Sequence, residues 1–407
     1  MNRIVLVGNG FDLSYGLETS YKHFIGKYWK DQIRYFSDNK YVDSLNELIK
    51  LPKENLEKYS RTTLSPFYEM YSFKEFKEAI LYRLNLNMIE FQNKFLEKIS
   101  DKNLEKWVDI EEEYYLQIKE IIQFQYPEQR EGVRDFFLKT LNIDFEKIKI
   151  ELEKYLINEQ NRRKIEQFNF MNIEEDFNLV DFTTNGLEYF FKKYFSETEE
   201  YRRKFEEKLS YLKNKNINKI LCKTYIYPEN TLFLNFNYTN LAERFISCIY
   251  SNRWQLEDWA KSKFTINYIH GELNKPDNPM IFGYGDEDDE LHREIERKGG
   301  DYLNNIKTIN YLKNDNYKRL LRFIESDLYQ VFIFGHSCGL SDKTLLKTMF
   351  EHENCVSIKP FFYVDKKEHS NYDDIIKNIY RIFSDKVSMR DKVVNEKYCS
   401  QLVQCKS

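Results

Sequence analysis

Apolar and polar residues are arranged in two different ways along this chain, and the difference divides it. From about Lys30 to Tyr225, apolar residues recur at three- and four-residue spacing, as in Phe73–Ile80 and Val133–Leu138, with lysine and glutamate between them. That spacing gathers them on one helix face, so the stretch predicts a helical region. Pro52, Pro66 and Pro127 are among its few breakers and are expected in helix connections. The ends of the chain read differently. Short apolar runs at Ile4–Val7, Leu232–Phe236, Thr265–Ile269, Val331–Phe334 and Val356–Val364 predict strands. Helical patterns over Tyr311–Ile324 and Asp342–Phe350 lie between the later ones. Strands alternating with helices predict an α/β fold with a mostly parallel, Rossmann-like sheet covered on both faces.

The expected organisation is therefore an α/β core made from residues 1–29 and 226–385. A large all-α insertion over 30–225 splits it. The polar tail over 386–407 either frays or packs as a last helix. A length of 407 residues agrees, since a single core stops growing at roughly 250–300 residues. Glycine placement agrees too. Gly8, Gly10, Gly16 and Gly26 crowd the start, and Gly271, Gly283, Gly285, Gly299, Gly300, Gly335 and Gly339 crowd the end.

Composition narrows the partners. A net charge of -4 gives no overall attraction to nucleic acid or to a membrane surface, so neither is expected. No run of eighteen apolar residues occurs, and the run at Ile4–Val7 is too short for a signal-peptide core. The six cysteines form no C-x-x-C pair and no zinc spacing, so reduced thiols in a cytoplasmic protein, with no metal, are expected.

Four turns carry candidate chemistry. Gly8-Asn9-Gly10-Phe11-Asp12 leaves the first strand, with Gly16 further on. Glycines there let the backbone turn sharply and approach a phosphate, but Gly16 lies too far along for a G-x-G-x-x-G dinucleotide turn. Asn235-Phe236-Asn237-Tyr238-Thr239 ends the second strand. Its asparagines either hold a ribose hydroxyl or water, or simply cap the strand. His270-Gly271 ends the third, where a histidine serves as a general base or as a structural residue. Gly335-His336-Ser337-Cys338-Gly339 ends the fourth, with Ser341 or Asp342 expected to cap the next helix. Each turn alone has a structural explanation. All four fall at the carboxyl ends of strands, where open α/β sheets collect their ligands.

These same residues carry a resemblance. Gly8-Asn9-Gly10-Phe11-Asp12-Leu13, followed by Gly16, Leu17, Thr19, Ser20, Tyr21 and Phe24, resembles the opening signature of the abortive-infection AbiH family. Asn235–Thr239, His270-Gly271, Ile281-Phe282-Gly283 and Phe334–Ser337 follow in that family's order, and Trp107–Glu111 also resembles it. The family is in turn distantly similar to sirtuin-type NAD-binding domains. That similarity implies that Gly8, Asn9, Gly10, Phe11, Asp12 and Gly16 line a dinucleotide. It places Asn237 and His270 in the catalytic positions, and Gly335, His336 and Ser337 at the adenosine half. Four departures stand out: Asp12 where sirtuins carry a small hydroxyl residue, Asn235 for a threonine, Thr239 for an aspartate, and His336 for a threonine. The paired C-x-x-C zinc module is missing, so deacylation is not expected.

Three functions follow as expectations. The first is phage defence through hydrolysis of NAD or a related nucleotide at the nicotinamide–ribose bond. The second is a non-catalytic nucleotide sensor whose helical region meets a phage-derived trigger or another copy of the chain. The third is a metal-dependent nuclease using Asp286–Glu290, or Asp109 with Glu113 at i,i+4. For those carboxylates a solvated loop and a solvated helix face are the simpler explanations.

Overall fold

The five expected strands form one sheet. In a computed structural model, β1 (Asn2–Val7), β4 (Asn230–Asn235), β5 (Lys263–Tyr268), β6 (Tyr329–Phe334) and β7 (Cys355–Phe361) lie in the order β5-β4-β1-β6-β7. All neighbours are parallel. The structure describes residues 1–38, 48–50, 73–75, 90–102, 107–123, 131–163, 165, 167–195, 203, 224–289, 292–365 and 367–405. Pro52, Pro66, Pro127, Cys222 and most of the Phe73–Ile80 pattern lie outside them. None of the five described cysteines forms a disulfide. No described helix is long and apolar enough to cross a membrane.

Numbered by themselves in chain order, the five strands run 3-2-1-4-5, the first five positions of the doubly wound order 3-2-1-4-5-6. The chain leaves β1 on one side for β4 and β5, then crosses β1 to lay down β6 and β7. The switch point is the gap between β1 and β6.

Alternation along each strand builds two cores. Ile4, Leu6, Leu234, Val331, Ile333 and Ile358 face one way, beneath Leu320, Leu345, Met349 and Ile379. Val5, Val7, Phe233, Phe332, Phe334 and Phe361 face the other, against Phe11, Leu241 and Phe245. Both faces are covered, as a parallel sheet requires.

The chain divides into two compact units. The α/β unit holds Met1–Leu17, Arg163–Ile281 and Asn310–Ser407. Residues 163–195 and 224–225, expected in the insertion, belong to it. Phe177, Leu179, Phe182, Phe190 and Phe191 make a core with Met1 and Val356, which draws the helix Thr184–Phe195 to the sheet. The tail packs as well. Val394 donates a backbone hydrogen bond to Ile358, Cys405 donates one to Ser14, and Leu402 is buried in the core.

The helical unit is Glu18–Arg162 with Phe282–Ile309. Its helices Trp107–Gln123 and Glu131–Arg162 meet through Tyr114 stacked on Phe145 at 4.1 Å. Phe282 stacks on Phe145 at 5.1 Å and Tyr284 on Tyr115 at 4.0 Å. Glu111 accepts the Gly283 amide and pairs with buried Lys307 at 2.9 Å. Aromatic stacking and one buried ion pair therefore hold residues 282–309 here. This unit also carries β2 (Ile49–Lys50) and β3 (Glu90–Phe91), a two-residue antiparallel pairing.

One helix start differs from the sequence pattern, and another follows its expected cap but is preceded by a 3-10 turn. Tyr311–Ile324 is not continuous: a 3-10 turn covers Tyr311–Lys313 and the helix is Asn316–Ser326. Asn314 breaks it, because its Oδ1 accepts the Asn316 amide at 3.0 Å and holds the backbone extended. The second expected helix begins as a 3-10 turn, Leu340–Asp342, before the helix Lys343–Phe350.

Candidate functional site

The strand register brings the four turns together. Tyr268 pairs with Asn235, Asn235 with Val7, and Val7 with Phe334. These four residues form one row across the sheet, so the turns that follow them start at one level. The buried polar residues there bond in two groups, Asp12 with Asn237 and Thr239, and Asp342 with His270 and His336.

Beside β1, the glycines serve close backbone packing. Gly8 donates its amide to the Phe334 carbonyl at 3.0 Å and Gly10 to the Gly335 carbonyl at 2.9 Å. A Cβ on Gly8 would stand 2.4 Å from the Cα of His336. Gly335 has φ +69°, and a Cβ there would stand 2.2 Å from the Phe11 nitrogen. The two turns at the switch point thus touch backbone to backbone. The Gly8 and Gly10 amides, expected at a phosphate, are used within the chain.

Asp12 lies in the short helix Asn9–Ser14 and is 1% exposed. One carboxylate oxygen accepts Asn237 Nδ2 at 2.8 Å and the other accepts the Thr239 hydroxyl at 2.7 Å. Asn237 Nδ2 also donates to the Gly8 carbonyl at 2.9 Å. Two of the sequence departures, Asp12 and Thr239, therefore form one hydrogen bond. Asn235 shapes this turn, since its Oδ1 accepts the Asn237 amide at 3.1 Å. With both its N–H groups committed, the Asn237 side chain has a fixed orientation. Its Oδ1 makes no hydrogen bond among the described residues.

Beside β5, His270 Nε2 lies 3.1 Å from Asp342 Oδ1 and 3.2 Å from the Tyr311 hydroxyl. His336 Nε2 lies 3.5 Å from the other oxygen, Oδ2, of the same carboxylate. His336 Nδ1 accepts the Cys338 amide at 3.0 Å. Phe236 lies against both imidazoles, with ring centres 5.0 Å from His270 and 4.1 Å from His336. Burial, reinforced by the Asp342 charge, pushes the Cys338 thiol far above its ordinary pKa and keeps it protonated. Burial also raises the Tyr268 hydroxyl, helped by Glu243, Glu272 and Asp12.

Asp342 is the residue the sequence did not give as part of this cluster. It occupies the cap position of Lys343–Phe350, as expected, but its side chain makes no cap hydrogen bond. The carboxylate goes to the two histidines instead. An aspartate before a helix looks the same in sequence whichever way it points.

Other expected site residues lie apart from these contacts. The Phe11 ring, expected against a ligand, is instead 2% exposed and packed edge-on against Phe245 at 5.6 Å. It points inward because it belongs to the apolar face of a helix laid on the sheet. Gly16 closes that helix at φ +78°, beside Arg163. Asn9 begins it and is half-buried. Ser337 is exposed, and its carbonyl accepts Asn378 Nδ2 at 2.8 Å.

The described carboxylates considered for a metal are in the helical unit, and Glu290 lies outside the described residues. Glu113 pairs with Lys102 at 2.5 Å and with Lys98 at 3.8 Å, and Asp289 pairs with Lys119 at 2.7 Å. Among the described residues, no group of three or more His, Cys, Asp or Glu side chains is arranged to hold a metal ion.

No curated protein matches the sequence closely enough to count as a relative. The sequence model of the family described as bacteriophage abortive infection AbiH matches residues 4–364, which takes in every turn described above. The chain belongs to the bacteriophage abortive infection AbiH family.

Proposed function

We propose that this protein acts in abortive infection by hydrolysing NAD, or a related nucleotide, at the bond between base and ribose. The observation that carries the reading is the orientation of Asn237. Asp12 and Gly8 hold its amide N–H groups, so its carbonyl oxygen is the atom available to a ligand. A fixed acceptor at the end of β4, with a histidine backed by a carboxylate at the end of the neighbouring β5, suits a ribose and an attacking water.

The nucleotide's two halves fit unequally. The Gly8 and Gly10 amides already donate to β6 and its turn, so they do not form a phosphate cradle. The sugar end is better served. The likeness of the motif order to sirtuin-type domains supports NAD as the nucleotide, with nicotinamide as the group released.

In the proposed reaction the C1′–N bond breaks and nicotinamide leaves with the bonding pair as a neutral molecule. No acid is needed at the leaving group. Positive charge develops on the ribose, as in glycoside cleavage. Asn237 Oδ1 orients a ribose hydroxyl or the water. The water oxygen bonds to C1′, and His270 accepts its proton. Such a base contributes roughly 10²–10⁴-fold.

NAD loss and nicotinamide release, followed in purified protein and in phage-challenged cells, test this. Wild type consumes NAD, and His270→Ala and Asn237→Ala do not while remaining folded. Equal consumption by wild type and both variants would falsify the proposal. The internal use of the Gly8 and Gly10 amides favours one second reading, a sensor that binds nucleotide without cleaving it. Calorimetry showing tight binding with no product identifies that case.

A further inference from the structure

Asp342 enters the reaction proposed above only as the carboxylate behind its base, and His336 not at all, yet both are buried beside that base. Side-chain exposure is 6% for His270, 10% for Asp342 and 6% for His336. The hydrogen atoms in this chain of contacts can be assigned by following it from one end. The Cys338 backbone N–H can only donate, so His336 Nδ1, 3.0 Å away, presents its lone pair. A neutral His336 then carries its hydrogen on Nε2, which faces Asp342 Oδ2 at 3.5 Å. That distance is long for a hydrogen bond and within reach of a charged partner. On the other side, His270 Nε2 stands 3.1 Å from Asp342 Oδ1. An imidazole lone pair against a carboxylate lone pair at that distance is repulsive, so Nε2 must carry a hydrogen there too. In a neutral His270, the nitrogen left to accept a proton is then Nδ1.

We infer that Asp342 is a positioning residue that fixes His270 with Nδ1 as its basic nitrogen, and that His336 acts one step further back by holding Asp342. Two further observations support this. The Asp342 side chain is at a helix cap position yet makes no cap bond, so its local role has been given up for the histidines. Cys338, whose amide sets the His336 tautomer, has φ +53°, a backbone conformation that non-glycine residues rarely adopt. His336 is thereby assigned to the enzyme's own proton arrangement rather than to the nucleotide. The assignment of a catalytic purpose rests on the function proposed above. The tautomer assignment does not.

The test is ring-15N NMR of the full-length chain labelled at its six histidines, with His270→Gln to assign the His270 signals. The expected wild-type result is a neutral His270 protonated at Nε2 and bare at Nδ1. Asp342→Asn should mix its tautomers, and His336→Gln should do so less, with the signals of His23, His292, His352 and His369 unchanged. In turnover, Asp342→Asn should lower kcat by roughly 10²–10⁴-fold with little change in KM. A His270 protonated at Nδ1 in wild type, or a tautomer unaffected by Asp342→Asn, overturns the inference. A His336→Gln variant with raised KM and unchanged kcat overturns the role given to His336. If wild type cleaves no nucleotide, the function proposed above fails, while the NMR result still decides the tautomer.

Discussion

The same sheet buries two polar clusters, and they are built differently. One lies along the strands. Arg3 is fully buried, donates to Gln330 and to the carbonyls of Ile173 and Glu175, and rests 4.0 Å from the Phe332 ring centre. Lys359, 2% exposed, pairs with Glu175 at 2.6 Å and Asp181 at 3.2 Å. The other lies at the strand ends and contains Asp12, Asn237, His270, His336 and Asp342. In the mid-strand cluster, burial shifts the ionisation of groups of both signs. Burial lowers Arg3 to about 10 and raises Asp181 to about 6, even against the pull of Lys359. Those shifts do not make it a site. Its cations are spent holding residues 173–181 to the sheet, and Asp181 is closed off from solvent. At the strand ends, Asn237 keeps an acceptor that its neighbours do not use. Perturbed ionisation here reports burial in a structural ion-pair network.

The contrast can be broken experimentally, starting with the largest effect. Lys359→Met leaves buried Asp181 without its cation and should cost about 3–5 kcal/mol in urea unfolding, with the His270 ring signals unchanged in the folded protein. A cost below about 1 kcal/mol would remove the structural role given to the mid-strand cluster. Asp12→Asn turns an accepting atom into a donor facing Asn237 Nδ2 or the Thr239 hydroxyl. It should cost about 1–3 kcal/mol and release the Asn237 orientation, so that NAD cleavage falls as far as in Asn237→Ala. If cleavage were untouched, the Asn237 argument would fail.

The next effect depends on pH. Asp181 titrates near 6 when folded, above its ordinary value of 3.8. Between those values the folded chain holds a proton that the unfolded chain has lost. Its contribution is therefore complete below pH 3.8 and is lost as pH rises through 6. Wild type should lose about 1–3 kcal/mol relative to Asp181→Asn between pH 4 and pH 7. A flat difference across that range would contradict the shift. The smallest effect sets the baseline. Lys377 and Asp374, both about two-thirds exposed and 3.3 Å apart, are a surface pair. Lys377→Ala should move the urea midpoint by no more than about 0.5 kcal/mol in equivalent stability.

How legible was each cluster in the sequence? The strand-end turns were, because glycine, asparagine and histidine after an apolar run are a local signal. All five strands fell where apolar runs placed them. The Asp342 contact was not legible, since a cap position says nothing about where the carboxylate points. The mid-strand cluster was hidden as well. Arg3 reads as a polar residue before a strand, and β1 in fact begins at Asn2. Lys359 reads as an interruption of β7. Unit boundaries were missed for a related reason. The helix Thr184–Phe195 has the same periodicity as the inserted helices, and only its partners, Met1 and Val356, show which core it joins. Periodicity identifies a face and leaves its partner unspecified.

The strand order also constrains how the chain is made. β1 is the central strand, yet Arg3 pairs with Thr231 on one side and Ile4 with Val331 on the other. At about 5–20 residues per second of synthesis, β1 waits about 10–45 s for its first neighbour and about 15–65 s for its second. During that time a strand that is apolar on both faces has two open edges, the condition that invites association with other chains. Chaperone demand during translation should therefore concentrate on this short segment, while the helices encoded between its partners form contacts of their own.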